Sequence, residues 1–124
     1  MSEPYDLEYI ALTEAVAREM NIPLKKGILL ACTGPSYETA SEVSMMRLLG
    51  ADAVCMSTVP EVIVGVQLGL RILGVSTITN MGTGLSQTRL SHDDIGKAVR
   101  QNSKRFSMLM EKIIMKISSE SEPK

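Results

Sequence analysis

Three times along this chain a short apolar run of strand character gives way to small polar residues, then to apolar residues at helical spacing. "GILLACT" leads into "GPSYE" and "TASEVSMMRLLG", "ADAVCM" into Ser57 and "TVPEVIVGVQLG", and "RILGVSTITN" into a Gly-rich loop and a long last helix. Runs that are apolar on both faces and alternate with helices predict an α/β fold, a mainly parallel sheet with helices on both sides. A length of 124 residues suits one domain. Within it, residues 1–24 are expected as a leading helix, "YDLEYIALTEAVAREM" stopped near Pro23. Residues 25–90 are the βα units, 91–119 a long terminal helix and 120–124 a polar tail. In the terminal helix Ile95, Val99, Phe106, Leu109, Met110, Ile113, Ile114 and Ile117 recur at helical spacing, as a core stripe does.

Charge narrows the choice of partners. With 13 Lys plus Arg against 14 Asp plus Glu there is no basic block to pair with phosphate backbones, so nucleic acid is not expected. Cys32 and Cys55 lie in apolar segments at no metal-like spacing, and one histidine cannot complete a Cys/His ligand set. Both cysteines are expected as buried, reduced thiols, and no metal is expected. "MSEPYDLEYI" has no basic region followed by an apolar stretch, and the longest uncharged run, Ile72 to Thr88, is full of Gly, Ser, Thr and Asn. Neither export nor membrane insertion is expected, and the cytoplasm is the expected location.

In a parallel sheet ligands gather at the carboxyl ends of strands, which directs attention to Gly34–Glu38, Met56–Thr58 and Thr79–Gly84. Thr58 followed by Glu61 reads as a capping box, and Pro60 suits a first helical turn. Ser57 is left at that helix amino terminus, where free N–H groups and the dipole favour an anion such as phosphate, although Glu61 adds negative charge to the same turn. Thr39 and Glu42 read as a second capping box, which leaves Tyr37 and Glu38 at the ligand edge. Glu38 suits a ring N–H or a pair of hydroxyls and Tyr37 suits a flat ligand, while a solvated loop is the simpler account of both. Asn80 can donate to and accept from a ring nitrogen beside a carbonyl, and a plain turn-forming Asn fits its place as well. His92, the only histidine, belongs to the first turn of the last helix, facing a substrate hydroxyl or solvent. "MGTGLS" lacks the glycine pattern of a dinucleotide loop and the Gly-Lys-Ser/Thr of a P-loop, so it is read as flexible and without a phosphate role.

Taken in order, "GPSYET", "LGADAVCMSTVPEVIV", "GLRILGVSTITN" and "SHDD" resemble the carboxyl-terminal half of trimeric purine nucleoside phosphorylases, nearly without gaps from Gly27 to His92. The resemblance implies the fold named for phosphorylases and hydrolases, and reversible phosphorolysis: purine nucleoside plus phosphate gives purine base plus pentose 1-phosphate. It implies no cofactor, inorganic phosphate being a substrate. By motif position, Glu38 holds the ring N–H of a 6-oxopurine and Asn80 bonds N7 and the 6-oxo group, both catalytic. Tyr37 and Met56 line purine and ribose, Thr79 lies near the base, Ser57 touches phosphate and His92 reaches the ribose 5′-hydroxyl. The relative that cleaves methylthioadenosine carries Asp where this chain has Asn80, which points to inosine and guanosine.

Two departures stand out: Cys55 where the family usually has Gly, and Leu29 where a Tyr is common. The family's Gly-Ser-rich phosphate loop, its phosphate-site Arg and His and an aromatic residue lent by a neighbouring subunit have no counterpart in these residues. The expectation is therefore a fragment or split subunit that carries the base site, inactive alone and completed by an amino-terminal half, in a homo-oligomer that is a trimer in the family. The alternative is a non-catalytic purine-binding or assembly module descended from the enzyme. Methylthioadenosine phosphorolysis is a third reading.

Overall fold

A computed structural model describes residues 2–86 and 92–120, without the side chains of 92–95, 97–99, 101 and 120. Its elements run α1 (Leu7–Glu19), β1 (Leu29–Ala31), α2 (Ala40–Leu48), β2 (Ala53–Cys55), α3 (Val59–Gln67) and α4 (His92–Glu120). Residues 121–124 of the expected polar tail lie outside the described residues.

Helix α1 starts at Leu7 rather than near Pro4, because Asp6 caps it: one carboxylate oxygen accepts from the backbone N–H of Glu8 and of Tyr9, each at 3.0 Å. Thr13, buried in this helix, donates its hydroxyl to the Tyr9 carbonyl at 2.7 Å, so its polar atom is satisfied. The helix ends before Pro23 is reached. Asn21 takes φ +52°, its N–H bonds the Arg18 carbonyl, and Ile22 N–H bonds the Ala17 carbonyl. Helices α2 and α3 end by the same paired bonds, with Gly50 (φ +91°) and Gly69 (φ +72°) in the left-handed position. A residue free of a Cβ suits that backbone, and here it turns the chain sharply into the next segment.

The two strands are parallel, with Leu29 beside Ala53, Leu30 beside Val54 and Ala31 beside Cys55. Their entry is fixed by Asp52, whose carboxylate accepts from Ile28 N–H at 2.8 Å while its own N–H bonds the Ile28 carbonyl at 2.9 Å. Gly27 leaves room for this, since a Cβ there would stand 2.9 Å from the Asp52 Cβ. The third expected unit is corrected. "RILGVSTITN" joins no ladder among the described residues, and the sheet has two strands only. A strand needs a hydrogen-bonding neighbour at its edge, and neither β1 nor β2 is bonded to it. Instead the segment is anchored by side chains and by one backbone bond, from Asp6 N–H to the Ile72 carbonyl at 2.8 Å.

The core lies between α1 and α4, where Val16, Ala17, Leu109 and Ile113 are buried and Leu12, Met20, Ile22, Leu73, Met110 and Ile117 pack around them. Leu109, Met110, Ile113 and Ile117 of the expected stripe of α4 serve this core, Phe106 is half-buried, Ile114 is exposed, and the side chains of Ile95 and Val99 lie outside the described set. Glu19 ties the two helices at their edge through Lys112 (3.1 Å) and Lys116 (2.8 Å). Elsewhere large apolar side chains face outward, among them Leu48 at 89 %, Leu49 at 71 % and Leu68 at 68 % exposure. Large apolar side chains exposed in this number are suited to cover by protein.

Candidate functional site

The loop after β1, the whole of β2 with the turn that leads into it, and the segment from Thr77 to Leu85 line an open cleft of about 710 Å³, within the range of small-molecule sites. Tyr37 and Glu38 come to it from the loop after β1, Met56 from the end of β2, and Thr79 and Asn80 from the segment that joins no ladder. Tyr37, Glu38, Met56, Thr79 and Asn80, five of the residues singled out from the sequence, thus line one cavity. Ser57 is exposed and follows Met56 directly, outside the lining. His92 is the first residue of α4, and its side chain lies outside the described set.

Local structure explains each placement. On the β1 side the expected capping box is formed in full: the Thr39 hydroxyl accepts from Glu42 N–H at 3.3 Å and the Glu42 carboxylate accepts from Thr39 N–H at 2.7 Å. These bonds hold the Glu42 carboxyl below the usual carboxylate range. With the helix start fixed, Tyr37 and Glu38 are left at its mouth. Behind them Cys32 approaches Met46 Sδ at 4.0 Å. Burial pushes the Cys32 thiol up, and the neighbouring Glu38 carboxylate adds to the shift by charge and hydrogen bond, so this thiol stays protonated at neutral pH.

At the β2 end Met56 lies over Gly34, where a Cβ would stand 2.7 Å from the Met56 sulfur. Gly34 therefore both takes φ +67° and seats the side chain that lines the cleft. The second expected capping box does not form. Thr58 makes no side-chain cap and has φ +69°, ψ −59°, while Val59 N–H bonds the Ser57 carbonyl at 2.7 Å. This is a tight three-residue turn of the rare positive-φ kind, in place of the extended backbone that a capping residue usually takes. Pro60 does sit in the first turn of α3 as the sequence implies. Both cysteines are free, and both are half-buried rather than buried.

Asn80 is held by its neighbours. Its Oδ1 accepts from the Thr79 hydroxyl at 2.7 Å and its Nδ2 donates to the Met81 carbonyl at 3.0 Å. A carbonyl can only accept, so the Met81 contact fixes which end of the amide is nitrogen. One further N–H and one further lone pair remain for a ligand in the cleft.

Sequence reasoning read "MGTGLS" as a flexible loop, yet Met81, Gly82, Thr83 and Leu85 form a wall of the cleft. Gly82 lies against Val43 and Gly84 against Ala40, where an added Cβ would meet those residues at 3.1 Å and 2.8 Å. The signal was two glycines directly after Asn80, at a strand-like carboxyl end, a pattern of close backbone approach as well as of flexibility. Among the described residues no group of three or more His, Cys, Asp and Glu is arranged to hold a metal ion, and no helix is long and apolar enough to cross a membrane.

Residues 1–115 match the family model described as "Phosphorylase superfamily". Purine nucleoside phosphorylase 1 of Bacillus subtilis is 45% identical over 114 residues, which cover 92% of this chain and 42% of the relative. Crystal structures of Schistosoma mansoni purine nucleoside phosphorylase with adenosine and with inosine superpose at TM-scores of 0.86 and 0.85, each 31% identical and covering 99% of this chain. The chain thus belongs to the phosphorylase superfamily, and its mixed helix and parallel-strand fold is that of purine nucleoside phosphorylases. It spans less than half the length of the relatives it matches.

Proposed function

We propose that this chain supplies the purine side of a purine nucleoside phosphorylase site. The observation that carries the reading is that the Glu38 carboxylate and a partly uncommitted Asn80 amide, brought by separate loops, line one cleft of purine-accommodating size. Breaking the glycosidic bond leaves an oxocarbenium-like pentose and sends the bonding electrons into the purine. Asn80 donates to N7 and meets the 6-oxo group, Glu38 accepts from the ring N–H, and both act where charge develops. One such donor is typically worth about 3 kcal/mol in the transition state.

Tyr37 and Met56 flank purine and ribose, and Thr79 acts near the base through its bond to the Asn80 amide. Ser57 contacts phosphate and His92 the ribose 5′-hydroxyl. Inorganic phosphate is the second substrate, no cofactor takes part, and the cytoplasm is the site of action. The preference is for 6-oxopurines. A complementing amino-terminal half completes the phosphate site, and its partner surface is the apolar exterior around Leu48, Leu49 and Leu68. The assembly is a homo-oligomer, a trimer as in the family.

The test is hypoxanthine release from inosine, with phosphate present or omitted, by the chain alone and mixed with the amino-terminal portion of the Bacillus subtilis relative. Phosphate-dependent release by the mixture is expected. Cys55, which stands where the family usually has Gly, favours a second reading, a purine-binding or assembly module without catalysis. Silence of every mixture with retained hypoxanthine binding selects that reading.

A further inference from the structure

The Cys55 thiol stands 2.9 Å from the Ser57 carbonyl oxygen, which also accepts the Val59 N–H at 2.7 Å. Two donors therefore converge on one carbonyl at the turn where Thr58 is forced to φ +69°. Among the described residues the only cis peptide is Gly34–Pro35, so the Ser57–Thr58 peptide is trans, and its N–H points opposite to that carbonyl. The Thr58 N–H, on the other side of that peptide from the doubly bonded carbonyl, meets no acceptor among the described residues. Ser57 is exposed beside it. A positive φ at a β-branched residue costs on the order of 1–3 kcal/mol and persists only where its surroundings hold it.

We propose that Cys55 is a positioning residue: by donating to the Ser57 carbonyl it holds the strained turn that presents Ser57 and the Thr58 N–H to phosphate. The inference rests on the reading of Ser57 as a phosphate contact. A glycine, the usual family residue at this position, has no side-chain donor, so the turn in this chain carries a restraint that a glycine cannot supply. The thiol acts through the backbone and does not itself touch the anion.

The test compares the full chain with Cys55→Ala and Cys55→Ser by amide NMR, titrating inorganic phosphate and hypoxanthine separately. Thermal melts confirm that each variant is folded. Cys55→Ala is expected to speed Val59 amide exchange and weaken phosphate binding, read at Ser57 and Thr58, by about fivefold, the worth of one neutral hydrogen bond. Because Cys55 also lines the purine cleft, the deciding readout is phosphate binding, which Cys55→Ser restores because a hydroxyl donates in place of the thiol. Equal phosphate binding by Cys55→Ala and the parent overturns the proposal, as does a Cys55→Ser variant no better than Cys55→Ala. A parent chain that binds hypoxanthine but shows no phosphate response at Ser57 also overturns it, while leaving the purine cleft standing. Loss of both ligands in the parent chain instead defeats the proposed function.

Discussion

The Arg71 guanidinium bonds the Asp6 carboxylate that also caps α1, and it lies 4.1 Å from the centroid of the Tyr9 ring. One aspartate thus joins the first helix to the segment that leads into Asn80. Arg71 bonds Glu8 as well, and the Asp6 N–H reaches the Ile72 carbonyl at 2.8 Å, so the junction is closed from both sides.

The bond from Arg71, helped by the Tyr9 N–H, lowers the Asp6 carboxyl from 3.8 to about 2. A depressed carboxylate contributes stability that is present above its unfolded value and is lost as pH falls through its folded value. Asp6→Asn keeps a capping oxygen but loses the charge facing Arg71. Melting followed by circular dichroism is expected to show a lower Tm for Asp6→Asn at neutral pH, with the gap to the parent closing between pH 3.8 and about 2. A gap that is unchanged at the acid end contradicts this assignment.

The two helix starts that look alike in sequence should respond oppositely. Thr39→Ala removes a formed cap and is expected to cost about 1 kcal/mol in urea denaturation. Thr58 caps nothing and is strained at φ +69°, so Thr58→Gly is expected to stabilise by about 1 kcal/mol despite the freer unfolded chain. Equal destabilisation by both substitutions contradicts the turn described at Thr58.

Adjacent isoleucines on α4 separate core from surface. Ile113 is 0 % exposed and Ile114 57 %. Ile113→Ala is expected to cost about 2–5 kcal/mol and Ile114→Ala within about 0.5 kcal/mol, by the same denaturation. A comparable loss at Ile114 would mean that its face is covered in solution.

The alternation of apolar runs and helical spacing was enough to foretell β1, α2, β2, α3 and α4, because local patterning and burial agree in those units. It failed at "RILGVSTITN", where strand character is written into the residues but a ladder depends on a partner strand elsewhere. The same limit applies to capping: Thr39-x-x-Glu42 and Thr58-x-x-Glu61 are equivalent as patterns, and only the backbone turn at Thr58 tells them apart. The cleft was legible at Tyr37, Glu38, Met56, Thr79 and Asn80, since strand ends locate such residues without knowledge of packing. The wall from Met81 to Leu85 was legible only in part: Met81 to Gly84 fall in the window expected at a strand end, but two glycines signal close approach and flexibility alike.

The most direct measurement is calorimetric titration of hypoxanthine into the full chain and into its Asn80→Asp variant. Binding by the parent, weakened about tenfold or more in Asn80→Asp at unchanged thermal stability, is the predicted result, since the variant replaces a donor with a carboxylate acceptor facing N7. No binding by the parent, or equal binding by both, would contradict a purine site built on Asn80.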